Sequence, residues 1–527
     1  MKKYTLLLGI FGSLFSPLAR ANTQPTKKGE SRTFLFTHPV NLNTSARRSM
    51  WHTFINEQEN CHCSNVQVWG VYQTSFSRKK IANYFLFGCK EELLVAGDQS
   101  PDACRRDVRA EWLGIDNHEF SGILSIDPKQ TQLGIVFDYN INFKNSECLS
   151  FLKDYWLTVE IPLITVKNDI NLRQHGVHNL GSEKPRDILE AFNQQAWSYA
   201  KMGPGQLDIG IGDIAFRFGK TYTSKSGHEV FYYSGFSVPA GKQQNAKFLF
   251  DPFLGSNGHF GIIAGVGFQV ALNRITSCHS ICWFLDMEAI FLMRNSQTRT
   301  LDLIGKPWSR YLLLNKKNGS PNQNIPAVNI LSQFVRVRPH DLIDFVTGLR
   351  IVSRRFEIEM GYGIWGRSDE RISLNPDCDF PPIYGIAGIS PNIHPVSGCP
   401  TGINLGDPCS GGITDITVIP GNNGQVVACN TICKASTASK STIDRLANTD
   451  TDEDGNPIFV PLCESDLDLK SAAAKKSVNH RFHVSFGYAR RGFCVDGFIG
   501  AGAYYEFPSV SGGLKTGGIW AKCGASF

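Results

Sequence analysis

The chain has 527 residues, of which 42% are hydrophobic, 19% charged and 11% aromatic, with 50 glycines and 35 phenylalanines. This length and composition allow a large core and exclude disordered, collagen-like and mini-protein classes. The formal net charge is +6, and it falls to +3 without the three basic residues of the leader described next, which argues against a nucleic-acid binder. The sequence contains no run of the roughly 18 to 20 apolar residues that a membrane-spanning helix needs.

The first 21 residues have the pattern of a secretory signal peptide. Two lysines precede an apolar stretch from Leu6 to Phe15, and residues 19–21 read Ala-Arg-Ala, a small-x-small cleavage site. We predict cleavage after Ala21 and export from the cytoplasm, with a buried N-terminal helix as the alternative interpretation. Residues 22–60 are assigned to an N-terminal periplasmic segment.

From residue 61 onwards, long stretches alternate strictly between apolar and polar residues. Residues 131–143 place aliphatic and aromatic side chains on one face and Gly, Asp and Asn on the other, and 355–365 and 494–507 repeat this pattern. These runs are about twice as long as the usual globular strand of five or six residues. They match the roughly 9 to 11 residues with which a tilted strand crosses a membrane.

An open sheet edge in lipid would leave backbone hydrogen bonds unmade, so such strands must close on themselves. The sequence therefore predicts an all-β fold, a transmembrane antiparallel β-barrel of roughly 12 to 16 strands over residues 61–527. At Gly212-Asp213 the apolar phase switches faces, which predicts a β-bulge. The candidate strands are 66–76, 81–88, 119–127, 131–143, 154–166, 205–218, 228–239, 259–272, 281–294, 308–316, 330–353, 354–366, 479–490, 494–507 and 514–527.

Two insertions interrupt the alternation. Residues 182–205 show helical spacing, with Ser182 as a plausible N-cap and Gly-Pro-Gly at the end, and predict a short helix. This helix would either constrict the barrel mouth or pack on an outer loop. Residues 369–479 lose strand periodicity and are rich in Gly, Pro, Ser, Asn and Cys, which predicts a long Cys-rich extracellular loop, because outer-membrane barrels have short periplasmic turns.

The 15 cysteines are consistent with an exported protein in an oxidising compartment, where disulfides persist. The odd count leaves at least one thiol free or paired between chains. Three clusters, at residues 61–63, 278–282 and 429–433, combine cysteines with histidine or with Cys-x-x-x-Cys spacing. Disulfides are the preferred interpretation, and zinc ligation is the alternative.

Within the long loop, Asp450, Asp452 and Asp454 form a D-x-D-x-D-G sequence that resembles the start of an EF-hand calcium loop. Position twelve is Pro461, where the bidentate glutamate of that loop belongs. Calcium in the surface loop is therefore one interpretation, and a solvated acidic turn is the other. No other cofactor is expected, and the absence of G-x-S-x-G and H-E-x-x-H sequences predicts a protein that is not an enzyme.

If the apolar strand faces meet lipid, the charged residues on the opposite faces line the lumen. Such residues either surround a water-filled path or pair in a plugged interior, and their acidic excess favours cations. The predicted pore-lining residues are Asp138, Glu160, Asp208, Asp286, Glu288, Asp344, Arg350, Glu357, Glu359, Arg481, His483, Asp496, Glu506 and Lys522.

The alternating residues that lead to the terminal Phe527 resemble the C-terminal signal read by the bacterial barrel-assembly machinery. From about residue 66 the chain resembles the porin-like outer-membrane barrels of Gram-negative bacteria. Several short segments are similar to a family of predicted outer-membrane proteins from host-associated bacteria, namely 190–192, 197–199, 212–214, 238–241, 258–261 and 306–311. This resemblance implies an outer-membrane location, membrane lipid and the assembly machinery as partners, and a possible homo-oligomer.

The leading functional hypothesis is a channel for passive diffusion of small hydrophilic solutes. It rests on the charged strand faces and on the lack of a plug-sized N-terminal domain. The alternative is a structural or adhesive surface protein in which the barrel anchors the disulfide-rich loop.

Overall fold

The computed structural model describes residues 33, 44–48, 64–76, 79–97, 99–103, 105–143, 152, 155–224, 228–276, 279–317, 324–377, 380–386, 416–418, 426–429, 461–490, 495–509 and 513–527. Among the helices in these ranges, none is long and apolar enough to cross a membrane.

Twelve antiparallel strands form a closed barrel in which each strand pairs with the next one along the chain. The fourth strand consists of two segments. The strands are β1 Ser64–Ser75, β2 Lys129–Asn142, β3 Tyr155–Asp169, β4 Gln206–Ile211 with Ile214–Thr223, β5 Glu229–Val238, β6 Gly261–Thr276, β7 His279–Leu292, β8 His340–Ser353, β9 Phe356–Arg367, β10 Ser477–Arg490, β11 Asp496–Pro508 and β12 Thr516–Ser526. The predicted all-β transmembrane barrel is confirmed, at the lower end of the expected strand range.

The barrel closes where the last strand pairs with the first. β12 runs antiparallel to β1 over eleven residue pairs, from Asn65 opposite Ser526 to Ser75 opposite Thr516. Phe527 extends this seam, because its N–H donates to the Ser64 carbonyl at 2.9 Å and its carbonyl accepts from Ser64 N–H at 3.1 Å. The sheet therefore has no free edge along the wall, which is the condition for crossing lipid.

The alternation in sequence becomes an apolar outer face and a polar inner face. In β2, Leu133, Ile135 and Phe137 are 55%, 44% and 49% exposed, whereas Gln132 and Asp138 are 1% and 2% exposed. The same contrast recurs in β9 and β10, where Met360 and Phe486 point outward. A continuous exposed apolar belt of this size marks a surface that meets lipid.

The bulge predicted at Gly212-Asp213 is present between the two segments of β4. Ile211 pairs with Leu163 of β3, and Ala215 pairs with Glu160. Four steps along β4 therefore oppose three steps along β3, so one extra residue reverses which side chains face inward.

The two ends of the barrel differ in the length of their connections. At the end with Ser64 and Phe527, the strands are joined by segments of at most 12 residues, such as 143–154 and 354–355. At the other end the connections are 76–128, 170–205, 239–260, 293–339, 368–476 and 509–515. By the rule for outer-membrane barrels, the long connections face the outside.

The described parts of these long connections pack into one structure, here called the cap. One hydrophobic cluster runs from Ile81 to Leu514 and takes residues from all six connections. At its centre, Tyr311 lies 5.0 to 5.3 Å, between ring centroids, from Trp197, Phe192 and Trp308.

The cap contains small sheets and short helices. Its helices are α2 Lys79–Phe85, α3 Ile188–Ala191 and α4 Ala327–Leu331, numbered after a helix α1, Thr44–Arg48, that lies inside the barrel. Its strands are Glu92–Ala96, Val108–Arg109, Ser121–Ser125, Arg173–His178, Asn295–Thr300, Asp302–Leu303, Leu313–Lys316, Ile325–Pro326, Ser332–Arg338, Arg371–Leu374, Tyr384–Ile386 and Leu467–Asp468; a further pair, Ile416–Val418 and Val426–Cys429, belongs to the same long connection.

Three segments expected to be barrel strands belong to the cap instead. Residues 81–88 are largely helical, 119–127 contribute a strand to a cap sheet, and 308–316 begin with a 3₁₀ turn at Ser309–Tyr311. The reason is that short apolar runs look alike in a strand and in a buried helix or loop. In the part of the long loop that the structure describes, residues 461–476 and 380–386 pack into the cap; most of the predicted Cys-rich loop lies outside the described residues.

The helix expected over 182–205 is much shorter than predicted. Only Ile188–Ala191 is helical, and its N-cap is Asp187, which accepts from Glu190 N–H at 2.8 Å. Ser182 instead donates to the Asp116 carboxylate. Ile188 and Trp197 are buried in the cap core, so this segment packs among the outer connections.

A buried ion pair fixes the centre of the cap. Arg310 donates to Asp302 through Nε at 3.0 Å and through Nη2 at 2.6 Å, and its backbone N–H donates to the same carboxylate at 2.8 Å. Both side chains are almost fully buried. The 306–311 motif therefore has a structural role in the cap.

We predict that Arg310→Ala destabilises the cap by about 3 to 5 kcal/mol, because it leaves Asp302 as an uncompensated buried charge. The control Arg105→Ala removes an exposed pair with Asp102 and should cost less than about 1 kcal/mol. Urea unfolding followed by tryptophan fluorescence measures both values. Equal costs for the two variants would contradict the role assigned to Arg310.

His259, just before β6, is held as a neutral imidazole. Its Nδ1 donates to the Met293 carbonyl at 2.7 Å, and its Nε2 accepts from Gln297 Nε2 at 2.9 Å. Burial lowers the pKa of His259 below its ordinary value of 6.5. Protonation would replace the Gln297 hydrogen bond with a clash of two donors.

The stability of the cap should therefore depend on pH. In the unfolded chain His259 takes up a proton near pH 6.5, whereas in the folded chain burial lowers its pKa below that value. The contribution of His259 to the free energy of unfolding is therefore fully present above pH 6.5. It is lost as the pH falls from 6.5 towards the folded-state pKa. Unfolding free energies at about pH 7.5 and about pH 5.5 test this. The variant His259→Gln should show a shallower pH slope, and an unchanged slope would assign the effect to other groups.

Candidate functional site in the barrel lumen

The residues predicted to line the lumen lie on the inner face of the barrel wall. Eleven are buried, namely Asp138, Asp286, Glu288, Asp344, Arg350, Glu357, Glu359, Arg481, His483, Glu506 and Lys522. Glu160, Asp208 and Asp496 are half-buried. Most of them contact each other or α1. Their role in conduction stays a prediction.

The helix α1, Thr44–Arg48, lies inside the barrel against this polar face. Arg47 Nη1 is 3.1 Å from Glu288 Oε2 and 3.8 Å from Glu160 Oε2. Arg48 Nε is 3.0 Å from Asp286 Oδ2, and its Nη1 is 3.8 Å from Asp344 Oδ1. Two adjacent arginines therefore lie within 4 Å of four carboxylates from β3, β7 and β8.

The opposite side of the wall holds the same helix by its backbone. Lys522 Nζ on β12 donates to the carbonyls of Ala46 and Arg47 at 3.2 and 3.0 Å. A cation at the C-terminal end of a helix satisfies free carbonyls and the helix dipole. Ala46 is fully buried in a small apolar cluster with Trp69 and Trp520.

This placement differs from the sequence interpretation, which assigned residues 22–60 to the periplasm and counted no internal plug. At least Thr44–Arg48 occupies the lumen, since the acidic inner wall attracts a basic segment. The inner faces of the strands carry more acidic than basic residues. This excess was the signal in the sequence that could have indicated a basic segment such as Arg47 and Arg48 in the lumen.

A third residue that sequence reasoning missed is Arg217 on β4. Its Nε is 2.9 Å from Glu288 Oε2 and its Nη1 is 3.0 Å from Glu160 Oε2. Tyr233 on β5 also donates to Glu288 at 2.9 Å. Arg217 faces inward because it follows the bulge, so the reversed phase was the available signal.

A further cluster joins β8, β9 and β10. Arg350 Nη2 lies 2.8 Å from Glu359 Oε2, and Arg350 Nε lies 3.1 Å from Glu357 Oε1. His483 Nε2 is 3.0 Å from Glu359 Oε1, and Arg481 Nη2 is 2.8 Å from Asp344 Oδ1. Arg350, Arg481 and His483 are thus brought together with carboxylates, whereas neither carboxylate oxygen of Asp138 has a hydrogen-bond partner among the described residues.

A cavity of about 70 Å³ remains between α1 and the cap. Arg47, Arg217 and Glu288 line one part of it, and Pro162 and Ile263 belong to its apolar sides. At roughly 10 to 15 Å³ for each water, this volume holds only a few solvent-sized groups.

The remaining sequence predictions fall elsewhere. Asp450, Asp452 and Asp454 lie outside the described residues, so calcium binding stays a prediction. Among the cysteines whose side chains the structure describes, Cys282, Cys463 and Cys523 are free. The residues that the structure describes contain no cluster of three His, Cys, Asp or Glu side chains able to hold a metal ion. The assembly role of Phe527 also stays a prediction.

Comparison with solved structures finds outer-membrane β-barrels. An outer-membrane channel from Pseudomonas putida F1 is 9% identical with a TM-score of 0.37, covering 90% of this chain and 98% of that one. The translocator domain of the autotransporter NalP from Neisseria meningitidis is 7% identical with a TM-score of 0.26, covering 92% and 95%. A Pseudomonas aeruginosa FadL homologue is 8% identical with a TM-score of 0.26, covering 88% and 90%.

No family model matches the chain, and no curated protein matches it. At such low identities and TM-scores the similarities support no conclusion about function, and the assignment of the fold rests on the strand pairing above. The chain is a β-barrel of the outer-membrane type. Its closed wall, apolar belt and charged interior establish this directly.

Proposed function

We propose that the protein is a channel of the bacterial outer membrane for small hydrophilic solutes, which α1 closes in the conformation described here. The observation that carries this proposal is the set of ion pairs between Arg47, Arg48 and the lumen wall. When the helix moves, the charged groups of these ion pairs can be hydrated by water instead. A tightly packed apolar interior could not open in this way without exposing its core to water.

The membrane location is supported by the outer face of the wall. Side chains such as Leu133, Phe486 and Ile519 are about half exposed or more. Exposure of such apolar surface to water is unfavourable, and a hydrocarbon environment removes that free-energy cost. The predicted leader and the terminal Phe527 favour export and insertion by the barrel-assembly machinery. Membrane lipid is accordingly the proposed environment of the belt.

The proposed solute class follows from the lumen wall. Asp286, Glu288, Asp344 and their partners present ionised groups along the interior, and a hydrated solute exchanges hydrogen bonds with such a surface. A purely apolar solute would have to desolvate these charges. Passage requires α1 to leave its position, so conduction is gated.

We expect the double variant Arg47→Ala, Arg48→Ala to increase conductance. The substitutions remove the contacts that hold α1 against Glu288 and Asp286, so the lumen should open more often and more widely. Single-channel recording in planar bilayers measures step size and open probability. The matched control Arg105→Ala, Arg186→Ala removes two exposed arginines of the cap and should conduct like the parent chain.

A chain that lacks residues 22–60 extends this test. If the folded barrel without this segment gives no conducting steps, the channel proposal is wrong. If the shortened chain conducts but the double arginine variant behaves like the parent, the lumen is a channel and the gate does not depend on these ion pairs.

A second candidate function is attachment to a surface or host, with the barrel as an anchor. The size of the cap favours it, since six connections build a common core at the outer end. Within this cap the Leu462 N–H donates to the Tyr384 carbonyl at 2.7 Å, so described residues on the two sides of the segment 387–460 are in contact.

Because the flanking residues are in contact, the segment can be deleted without separating the parts of the cap on either side of it. Replacing residues 388–459 with a short Gly-Ser linker should preserve the cap core and leave conductance unchanged. Binding of intact cells to host cells or matrix measures attachment. Attachment that survives the deletion would remove this segment as an adhesin, whereas its loss with unchanged conductance would establish a second function.

A further inference from the structure

The lumen wall contacts α1 as it would contact a bound basic peptide, through both the side chains and the backbone. Each of the two adjacent arginines of α1 lies within ion-pair distance of two wall carboxylates. Lys522 Nζ donates to the carbonyls of Ala46 and Arg47. The small side chain of Ala46 is fully buried in a cluster with Trp69 and Trp520. Three consecutive residues are thus bound by their size, their charge and their main chain.

Without α1 this part of the wall carries an excess of negative charge. Among the described residues, Arg48 is the cation within ion-pair distance of Asp286. Apart from α1, Glu160 and Glu288 share the single guanidinium of Arg217. Carboxylates in a region of low water content repel each other, and an unpaired one is costly. The vacated wall therefore favours a ligand that brings two positive charges.

The wall carboxylates can be reached from the lumen, because two guanidinium groups already reach them. Arg48 Nε lies 3.0 Å from Asp286 Oδ2, and Arg47 Nη1 lies 3.1 Å from Glu288 Oε2. The space that these two side chains fill becomes free when α1 leaves. A ligand with the same shape and charge can then make the same contacts, whereas a small cation fills only part of that space.

We propose that this wall binds peptides with two adjacent arginines, and that α1 is a tethered occupant of their site. The guanidinium groups of the peptide bind Asp286 and Glu288. Lys522 binds the backbone carbonyls, and Trp69 and Trp520 contact the small residue that precedes the arginines.

The chemistry of the wall favours arginine over lysine in such a peptide. A planar guanidinium fork contacts two carboxylates at once, as both arginines of α1 do, whereas an ammonium group is a single point charge. The tether keeps α1 at a high effective concentration, so a free peptide has to compete with it. The proposal rests on the proposed function in so far as it names a solute class for the same lumen.

The test is isothermal titration calorimetry of residues 22–527, folded in detergent and checked by circular dichroism. The variant Arg47→Glu, Arg48→Glu places two negative charges against the acidic wall, so α1 should leave the wall while every wall residue is kept. The probe is the peptide acetyl-Ala-Arg-Arg-amide. The matched probe is acetyl-Ala-citrulline-citrulline-amide, which has the same number of heavy atoms but no charge.

We expect the charge-reversed variant to bind one arginine peptide per chain in a saturable manner, and to bind the citrulline peptide at least tenfold more weakly. The parent chain should bind the arginine peptide at least tenfold more weakly than the variant does, because α1 occupies the site. The proposal would be overturned by equal binding of the two peptides, by equal binding to the two chains, or by no saturable binding to the folded variant.

Further substitutions in the charge-reversed chain locate the site. Asp286→Asn with Glu288→Gln removes two wall carboxylates but keeps both introduced glutamates, and it should weaken binding of the arginine peptide at least tenfold. Lys522→Met should also weaken it, because the peptide carbonyls lose their donor. The control Glu183→Gln with Glu464→Gln removes two exposed carboxylates of the cap and should leave binding unchanged. Full binding by both wall variants would place the peptide elsewhere and reject the site.

Binding in detergent does not require conduction, so the two proposals fail separately. Peptide binding by a charge-reversed chain that gives no conducting steps in planar bilayers would retain the site and reject the channel. Conducting steps in that chain without peptide binding would retain the channel and reject this solute class.

Discussion

The interior of this barrel depends on the neutralisation of carboxylates that its own strands bring together. Glu160, Asp286, Glu288 and Asp344 project into one region of low water content, where like charges repel strongly. The strands supply only part of the compensation, through Arg217 and Arg481. Arg47 and Arg48 supply much of the rest, so the N-terminal segment is part of the electrostatic design of the wall.

This dependence explains why a very short helix can hold a defined position. Five residues form too little helix to be stable alone. Among the α1 side chains that the structure describes, Ala46 packs in a small apolar cluster. Its position is fixed instead by two guanidinium groups and by Lys522 at its carbonyls. The position of the helix therefore depends on the charge state of the wall. In turn, the carboxylates of the lumen depend on the helix for part of their neutralisation.

The cap obeys a different rule, because it is held by an apolar core with a few buried ion pairs. Tyr311 and its aromatic neighbours stabilise it by burial, and Arg310 with Asp302 fixes one arrangement. The barrel wall has the inverse distribution, with apolar groups outside and charges inside.

The sequence was sufficient to predict the strands of the barrel wall. It was not sufficient to predict the structure of the cap and of α1, which determine access to the lumen. Period-two alternation over ten or more residues has few structural alternatives, and the phase switch at Gly212 identified the bulge. Residues 81–88 and 308–316 were misassigned because a short apolar run specifies burial without specifying conformation. Arg47 and Arg48 carry no periodic signal, and only the three-dimensional arrangement of the carboxylates gives them a role.

The charged lumen also separates the two candidate functions. An anchor would be most stable with a packed apolar interior, because replacing buried ion pairs with well-packed apolar residues is often neutral or stabilising. This barrel instead retains arginine and carboxylate pairs throughout its interior, from Arg217 to Arg350. That interior costs desolvation when closed but accepts water when opened, and this property fits the proposed channel better than a permanently closed anchor.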